Sequence, residues 1–117
     1  MDLSKIAQRQ IEADVKRGFS KELQTDAERI AQLTQDTVGL IGEVGEFANL
    51  LKKADLASRI EGYNGVSIDS ASPELREELA DAMIYIIRLA SALGADIESD
   101  LLKKMLKNDE RYRHLEK

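Results

Sequence analysis

Two pairs of carboxylates stand at a spacing that suits a metal site built on helices. Glu43 and Glu46 are three residues apart, and Glu78 and Asp81 repeat that spacing. Residues three apart on an α-helix project from one face, about 60° from each other. Apolar residues flank both pairs, and carboxylates beside a core lose hydration and repel one another unless cations compensate. If two facing helices bring the four together, the oxygen-only ligand set suits one or two magnesium ions.

A solvated helix face is the alternative interpretation of the same two pairs. Charged residues make up 33% of the chain, and in such a chain a Glu-x-x-Glu or Glu-x-x-Asp pattern often arises without a function. Residue types and spacing leave both interpretations open.

A cationic and amide face follows further along the chain. Lys104, Asn108 and Arg111 occupy positions i, i+4 and i+7 of a helical pattern. Lysine and arginine donors together with an amide could hold phosphate oxygens. A solvated face is the alternative here as well.

Three glycines recur every third residue around the first acidic pair, at Gly39, Gly42 and Gly45. Each costs about 1 kcal/mol in a helix interior relative to alanine. One interpretation is a weakened, frayed helix, and the other, which we favour, is a close approach of a partner helix or a ligand beside the two glutamates. Tyr85, four residues after Asp81, is a candidate to border the site, although a place in the core is the more common role of such a tyrosine.

Composition excludes several function classes. The 117 residues contain no cysteine, which excludes disulfides, thiolate metal sites and cysteine nucleophiles. The formal net charge is -5 and no basic stripe is visible, so a nucleic acid is not an expected partner. An acidic protein that binds a polyphosphate needs cations between the two negative partners. Apolar runs are too short to span a bilayer, and we expect no membrane association and a cytoplasmic location.

Helical periodicity extends over most of the chain and predicts an all-α fold in a single domain over residues 1–117. Four helices are expected over about 4–18, 26–57, 73–93 and from 97 onward. Gly18 and Gly94 are predicted to end the first and third helices, and Asp96 to cap the fourth. Ser72 is expected as N-cap with Pro73 as the first helical residue, after a loop over 58–72. Four helices make a four-helix-bundle-like fold, and broad apolar surfaces predict its completion by oligomerisation.

Three blocks of the sequence resemble the MazG-like, all-α nucleoside triphosphate pyrophosphohydrolases. They are Gly39–Phe47, Glu77–Asp81 and Lys103–Tyr112. The pattern of that family is Glu-x-x-Glu on one helix, Glu-x-x-Asp on the next, and a Lys/Asn/Arg cluster on a further helix. The stretch from 47 to 77 is longer than in compact members, so substrate specificity is not carried over.

The resemblance implies magnesium on the four carboxylates, phosphate contacts from the three residues of the cationic face, and a homodimer or homotetramer. It implies that a nucleoside triphosphate is cleaved to a nucleoside monophosphate and pyrophosphate. Glu46 is our candidate for the group that orients or deprotonates the attacking water. Two alternatives stay open: a related hydrolase acting on phosphoribosyl-ATP or another phosphorylated metabolite, and a non-enzymatic helical dimerisation module.

Overall fold

The structure is a computed structural model that describes residues 1–117 and contains only helices, as the sequence predicts. The helices are α1 (Leu3–Lys16), α2 (Asp26–Arg59), α3 (Ile68–Ala92) and α4 (Ile97–Tyr112), followed by a 3-10 turn over Arg113–Leu115. None of these helices has the length and apolar character that a membrane crossing requires.

Local signals begin and end most of the helices. The Thr25 hydroxyl accepts a hydrogen bond from the Glu28 backbone N–H at 3.1 Å and caps α2. Asp96 caps α4 through the N–H groups of residues 98 and 99, as predicted. Gly18 and Gly94 have φ values of 77° and 70°, a left-handed conformation that glycine adopts without a Cβ penalty. They follow α1 and α3, so both predicted helix ends are confirmed.

The start of α3 corrects the sequence prediction. Ser67, and not Ser72, is the N-cap, and Pro73 lies inside the helix. The helix begins earlier because the Ser67 hydroxyl accepts a hydrogen bond from the Ser70 N–H at 3.1 Å and because Ala71, which lies ahead of the proline, is buried at 3% exposure. The linker from α2 is therefore only residues 60–67, where a loop over 58–72 was expected.

An antiparallel hairpin of α2 and α3 forms the main body of the chain. The 34 residues of α2 run as one continuous helix through all three glycines. The α1 helix packs on α3, and α4 packs chiefly on α1. Three hydrogen bonds hold α4 there, from the Leu3 N–H to Glu98 and from the Ser4 hydroxyl to Asp96 and Glu98, at 2.9–3.0 Å.

The hydrophobic core of a single chain is small. Only 7 of the 117 residues are buried, and two of those are aspartates. Large apolar side chains are exposed on all four helices instead, and most of them belong to α2, α3 and α4. They include Ile30, Val38, Ile41, Val44 and Leu51 of α2, Leu79, Met83 and Ile86 of α3, and Leu101, Leu102, Met105 and Leu106 of α4.

Candidate metal centre

Three of the four predicted metal ligands meet between α2 and α3. One carboxylate oxygen from each of Glu43, Glu46 and Glu78 lies within 4.8 Å of the others. Glu43 and Glu46 are one turn apart on α2, and Glu78 faces them from α3 because the two helices run antiparallel. We call these three residues the carboxylate cluster.

Two oxygens of the carboxylate cluster are buried without a hydrogen-bond partner, Oε2 of Glu43 and Oε2 of Glu78. A buried carboxylate oxygen without a partner is costly, and either a proton or a cation would relieve that cost. Glu78 can share a proton with Glu43 and with Glu46, which together with burial and their negative charges raises its pKa to about 8. The metal-free cluster therefore retains a proton that an ordinary glutamate would lose.

Asp81 lies one turn beyond Glu78 on α3, exposed and outside the cluster. It lines a cavity of about 470 Å³ together with Glu43. Its assignment as the fourth metal ligand stays a prediction.

The cavity beside the carboxylates extends along the α2–α3 hairpin towards α1. Phe19, Gln35, Tyr85 and Arg88 line it beyond the acidic end. Its volume falls within the range of about 300–1,000 Å³ that is typical of small-molecule sites.

Tyr85 forms part of the cavity wall and packs directly on the backbone of α2 at Gly39. A Cβ atom placed on Gly39 would overlap the Tyr85 ring and lie 2.8 Å from its hydroxyl oxygen. Nothing lies within 4 Å of a Cβ placed on Gly42 or Gly45. The close approach inferred from the glycines is therefore confirmed at Gly39, with Tyr85 as the neighbour, and within this chain it involves neither of the other two.

The ligand chemistry of the carboxylate cluster fits a hard divalent cation. All of its donors are oxygens, which magnesium and calcium prefer, and neither nitrogen nor sulfur is among them. Two inward oxygens without partners match a site whose charge is balanced by a bound cation.

Comparison with known proteins agrees with this geometry. A family model described as the MazG-like family matches residues 41–117, which include both acidic pairs and the cationic face. The chain belongs to the MazG-like family.

Individual relatives of this MazG-like chain span a wide range of organisms. Gene 37 protein of Mycobacterium phage L5 is 37% identical over 68 residues, 58% of this chain and 55% of the phage protein. Human dCTP pyrophosphatase 1 is 34% identical and its rat counterpart 32%, each over 88 residues, 74% of this chain and 49% of the relative. The chain thus spans about half the length of these relatives. No solved structure gives a significant match.

The cationic face of the MazG-like pattern lies away from the cavity in the single chain. Lys104 and Arg111 are exposed and Asn108 is half-buried, all on α4. None of the three lines the cavity beside the carboxylates, because α4 packs on α1. Arg111 instead places its guanidinium 5.1 Å from the ring centre of Tyr112.

Sequence reasoning missed a buried ionic group at the other end of the cavity. Arg88 lies between Asp14 and Asp36, which are 2% and 3% exposed. One signal was available, since Arg88 is the only charged residue in the apolar run from 82 to 95. The two aspartates carry no comparable signal, because acidic residues are common throughout the chain.

Proposed function

We propose that this chain is a magnesium-dependent pyrophosphohydrolase that cleaves a nucleoside triphosphate to a nucleoside monophosphate and pyrophosphate. The observation that carries the proposal is the convergence of three carboxylates from two helices, with two buried oxygens that lack partners. Membership of the MazG-like family supports it. The name of the mammalian relatives makes dCTP the first substrate to test.

Magnesium would be held by Glu43, Glu46 and Glu78, with Asp81 as a fourth ligand. When bound, it would supply neutralising charge and Lewis acidity to the polyphosphate. The need for such a cation follows from charge, because both the cluster and the substrate are negative and the whole chain carries a net charge of -5.

Side chains of the protein would divide the remaining tasks. Glu46 is the exposed member of the cluster, so it can contact solvent and accept a proton from the attacking water. Lys104, Asn108 and Arg111 would hold the phosphate oxygens through charged and amide hydrogen bonds.

Assembly is part of this proposal, because the cationic face does not reach the cavity of its own chain. The exposed apolar side chains of α2, α3 and α4 provide the surface for a second copy. In a homodimer or homotetramer, α4 of one copy would lie over the carboxylate cluster of another and complete the site.

The direct test is a panel of nucleoside triphosphates with magnesium, including dCTP and phosphoribosyl-ATP, in which the products are separated. We expect equal amounts of monophosphate and pyrophosphate. Orthophosphate and diphosphate in their place would reject the assignment of the cleaved bond. Turnover of phosphoribosyl-ATP alone would favour the related hydrolase, and no turnover across the panel would favour the dimerisation module.

A matched pair of variants ties this turnover to the carboxylate cluster. Glu43→Gln should abolish most of the activity because it removes a metal ligand. Glu77→Gln should leave activity near the wild-type level, since Glu77 is exposed and outside the cluster. Equal activity in both variants would contradict the proposed metal centre.

A further inference from the structure

Arg88 connects four parts of the chain through one guanidinium group. Its Nε donates to Oδ1 of Asp36 on α2 at 2.9 Å, and its Nη1 lies 2.9 Å from Oδ2 of Asp14 on α1. Nη1 also donates to the Ser20 hydroxyl at 2.9 Å, and Nη2 to the Phe19 carbonyl at 3.2 Å. We call Arg88, Asp14 and Asp36 the Arg88 cluster.

Glutamine side chains complete the Arg88 cluster. Gln10 donates to Oδ1 of Asp14 at 2.9 Å, and Gln32 donates to Oδ2 of Asp36 at 3.0 Å. Three of the four oxygens of the two buried aspartates therefore accept a hydrogen bond, whereas Oδ2 of Asp14 has only the ion-pair contact with Nη1 of Arg88. The Asp14 backbone carbonyl in turn accepts from the N–H groups of Phe19 and Ser20, at 2.8 and 3.2 Å, so the same group of residues fixes the chain just after α1.

The Arg88 cluster lies in register with the proposed metal centre. Asp36 precedes Glu43 by seven residues and Arg88 follows Asp81 by seven, which is two helical turns, or about 10 Å along each helix. The cavity joins the two ends, with Glu43 and Asp81 at one end and Arg88 at the other.

The Arg88 cluster is not expected to contribute much to the stability of the fold. Two aspartates and one arginine leave a net negative charge in the interior, and buried ion pairs are often no more stabilising than apolar residues of the same volume. What the Arg88 cluster supplies is geometry, since a planar guanidinium with fixed donors allows few arrangements of its partners.

We propose that Arg88 is a positioning residue that holds α1 and Phe19 in place as the third wall of the cavity, and that this cavity receives the base and sugar of the nucleotide. This inference rests on the proposed function, which places the phosphates at the carboxylate cluster. Arg88 lies about two helical turns from the carboxylate cluster, where the bond would be cleaved. Arg88 therefore acts on substrate affinity and not on the chemical step.

The test compares Arg88→Lys and Ser20→Ala with the wild type. Ser20→Ala removes one hydrogen bond and buries no unpaired charge, so it remains informative if the lysine variant folds poorly. In Arg88→Lys we expect the KM for the best nucleoside triphosphate to rise about tenfold, as the loss of charged hydrogen bonds implies, while kcat changes by less than about threefold. Ser20→Ala should change KM in the same direction and by less.

Inhibition by magnesium pyrophosphate separates positioning from general damage, because pyrophosphate has no base or sugar. Its inhibition constant should be the same in the wild type and in both variants. Amide hydrogen exchange at Phe19 and Ser20 should be faster in Arg88→Lys, since both amides bond to Asp14. Arg59→Met, which removes an exposed pair with Asp55, is the matched control and should change none of these quantities.

Each other outcome overturns the inference. An unchanged KM shows that Arg88 does not set nucleotide affinity, and equal weakening of nucleotide and pyrophosphate shows a general structural role. A wild type that neither binds nor hydrolyses any nucleotide refutes the proposed function and this inference together. If the wild-type protein hydrolyses a nucleotide and Arg88→Lys has the same KM, only this inference is refuted and the proposed function stands.

Discussion

Glu78 has the most perturbed environment among the acidic residues of the proposed site. Its carboxyl group faces Glu43 and Glu46, and one of its oxygens is buried without a partner. This arrangement raises the pKa of Glu78 in the metal-free protein. A bound divalent cation would lower that pKa again, because a metal binds the carboxylate form. At the proposed metal centre, protonation and metal binding would therefore compete at one side chain.

The stability of the metal-free protein should fall as pH rises through the pKa of Glu78. That pKa is raised from 4.5 to about 8, so between these values the native state holds a proton that the unfolded chain has released. The free energy of unfolding then decreases with pH, because its slope follows the protons bound by the unfolded state minus those bound by the native state. This contribution is fully present below the lower value and is lost as pH passes the upper one. Thermal melts in a chelator between about pH 5 and 9 measure it.

The substitution Glu78→Gln should remove most of this pH dependence. Glu77→Gln, which replaces the exposed neighbouring residue, should leave the pH dependence unchanged. Millimolar magnesium should raise the melting temperature of the wild type by mass action and raise that of Glu78→Gln much less. The same pH slope and the same magnesium response in all three proteins would contradict the carboxylate cluster as a metal centre.

Between the two helices of the hairpin, the contact of Gly39 with Tyr85 predicts opposite effects for two similar substitutions. Gly39→Ala would drive a methyl group into the Tyr85 ring, and such overpacking costs about 1–3 kcal/mol. Gly42→Ala meets open space within the chain and should stabilise the helix by up to about 1 kcal/mol. Urea unfolding of both variants measures the difference.

A double substitution provides the control for that contact. Gly39→Ala combined with Tyr85→Leu should recover part of the lost stability, because the smaller side chain vacates the overlapping volume. Equal stability of Gly39→Ala and Gly42→Ala would show that the two helices do not approach closely at residue 39.

The elements that could be predicted from sequence are those that depend on neighbouring residues. Gly18, Gly94 and Asp96 act within one turn of the chain, and each was placed correctly. Pro73 misled the prediction because its local preference for a helix start was overridden by the cap at Ser67 and by the burial of Ala71, which depends on tertiary packing.

The candidate site also has one part that could be predicted from local spacing and another part that depends on distant contacts. Glu43, Glu46 and Glu78 could be selected from their spacing because helical periodicity places them on defined faces. Their convergence, and the position of Asp81 outside the cluster, depend on the register between α2 and α3. Arg88 was missed since its partners lie 52 and 74 residues away along the chain, and no local pattern reports a contact over such a separation.

The single chain is extended for its length. Its radius of gyration is 18.3 Å, against about 13 Å for a compact domain of this size. Exposed apolar side chains on α2, α3 and α4 are consistent with this open shape. We expect light scattering at micromolar concentration to give the mass of two or four copies, and a monomer in an active sample would contradict the proposed assembly.

Complementation tests whether α4 acts on a neighbouring copy. In the proposed site Glu43→Gln would lack a metal ligand and Lys104→Ala would lack a phosphate contact, so each variant alone should be nearly inactive. A dimer that contains one copy of each has one intact site if α4 reaches across the interface. Random mixing by co-refolding should then restore about a quarter of wild-type activity. A mixture no more active than its components would show that α4 acts on its own chain, and normal turnover by Lys104→Ala would show that its face is merely solvated.

Positions 39 and 85 are not free to change independently during evolution. The Tyr85 ring occupies the space that any side chain at position 39 would need, so the loss of Gly39 without a change at 85 would be selected against. We expect sequences descended from a common ancestor with this chain to keep glycine and tyrosine together, or to lose both and place a small apolar residue at 85. The wall of the cavity would change with them, so this pair of positions offers a route by which the lineage could alter the shape of the cavity while leaving the carboxylates untouched.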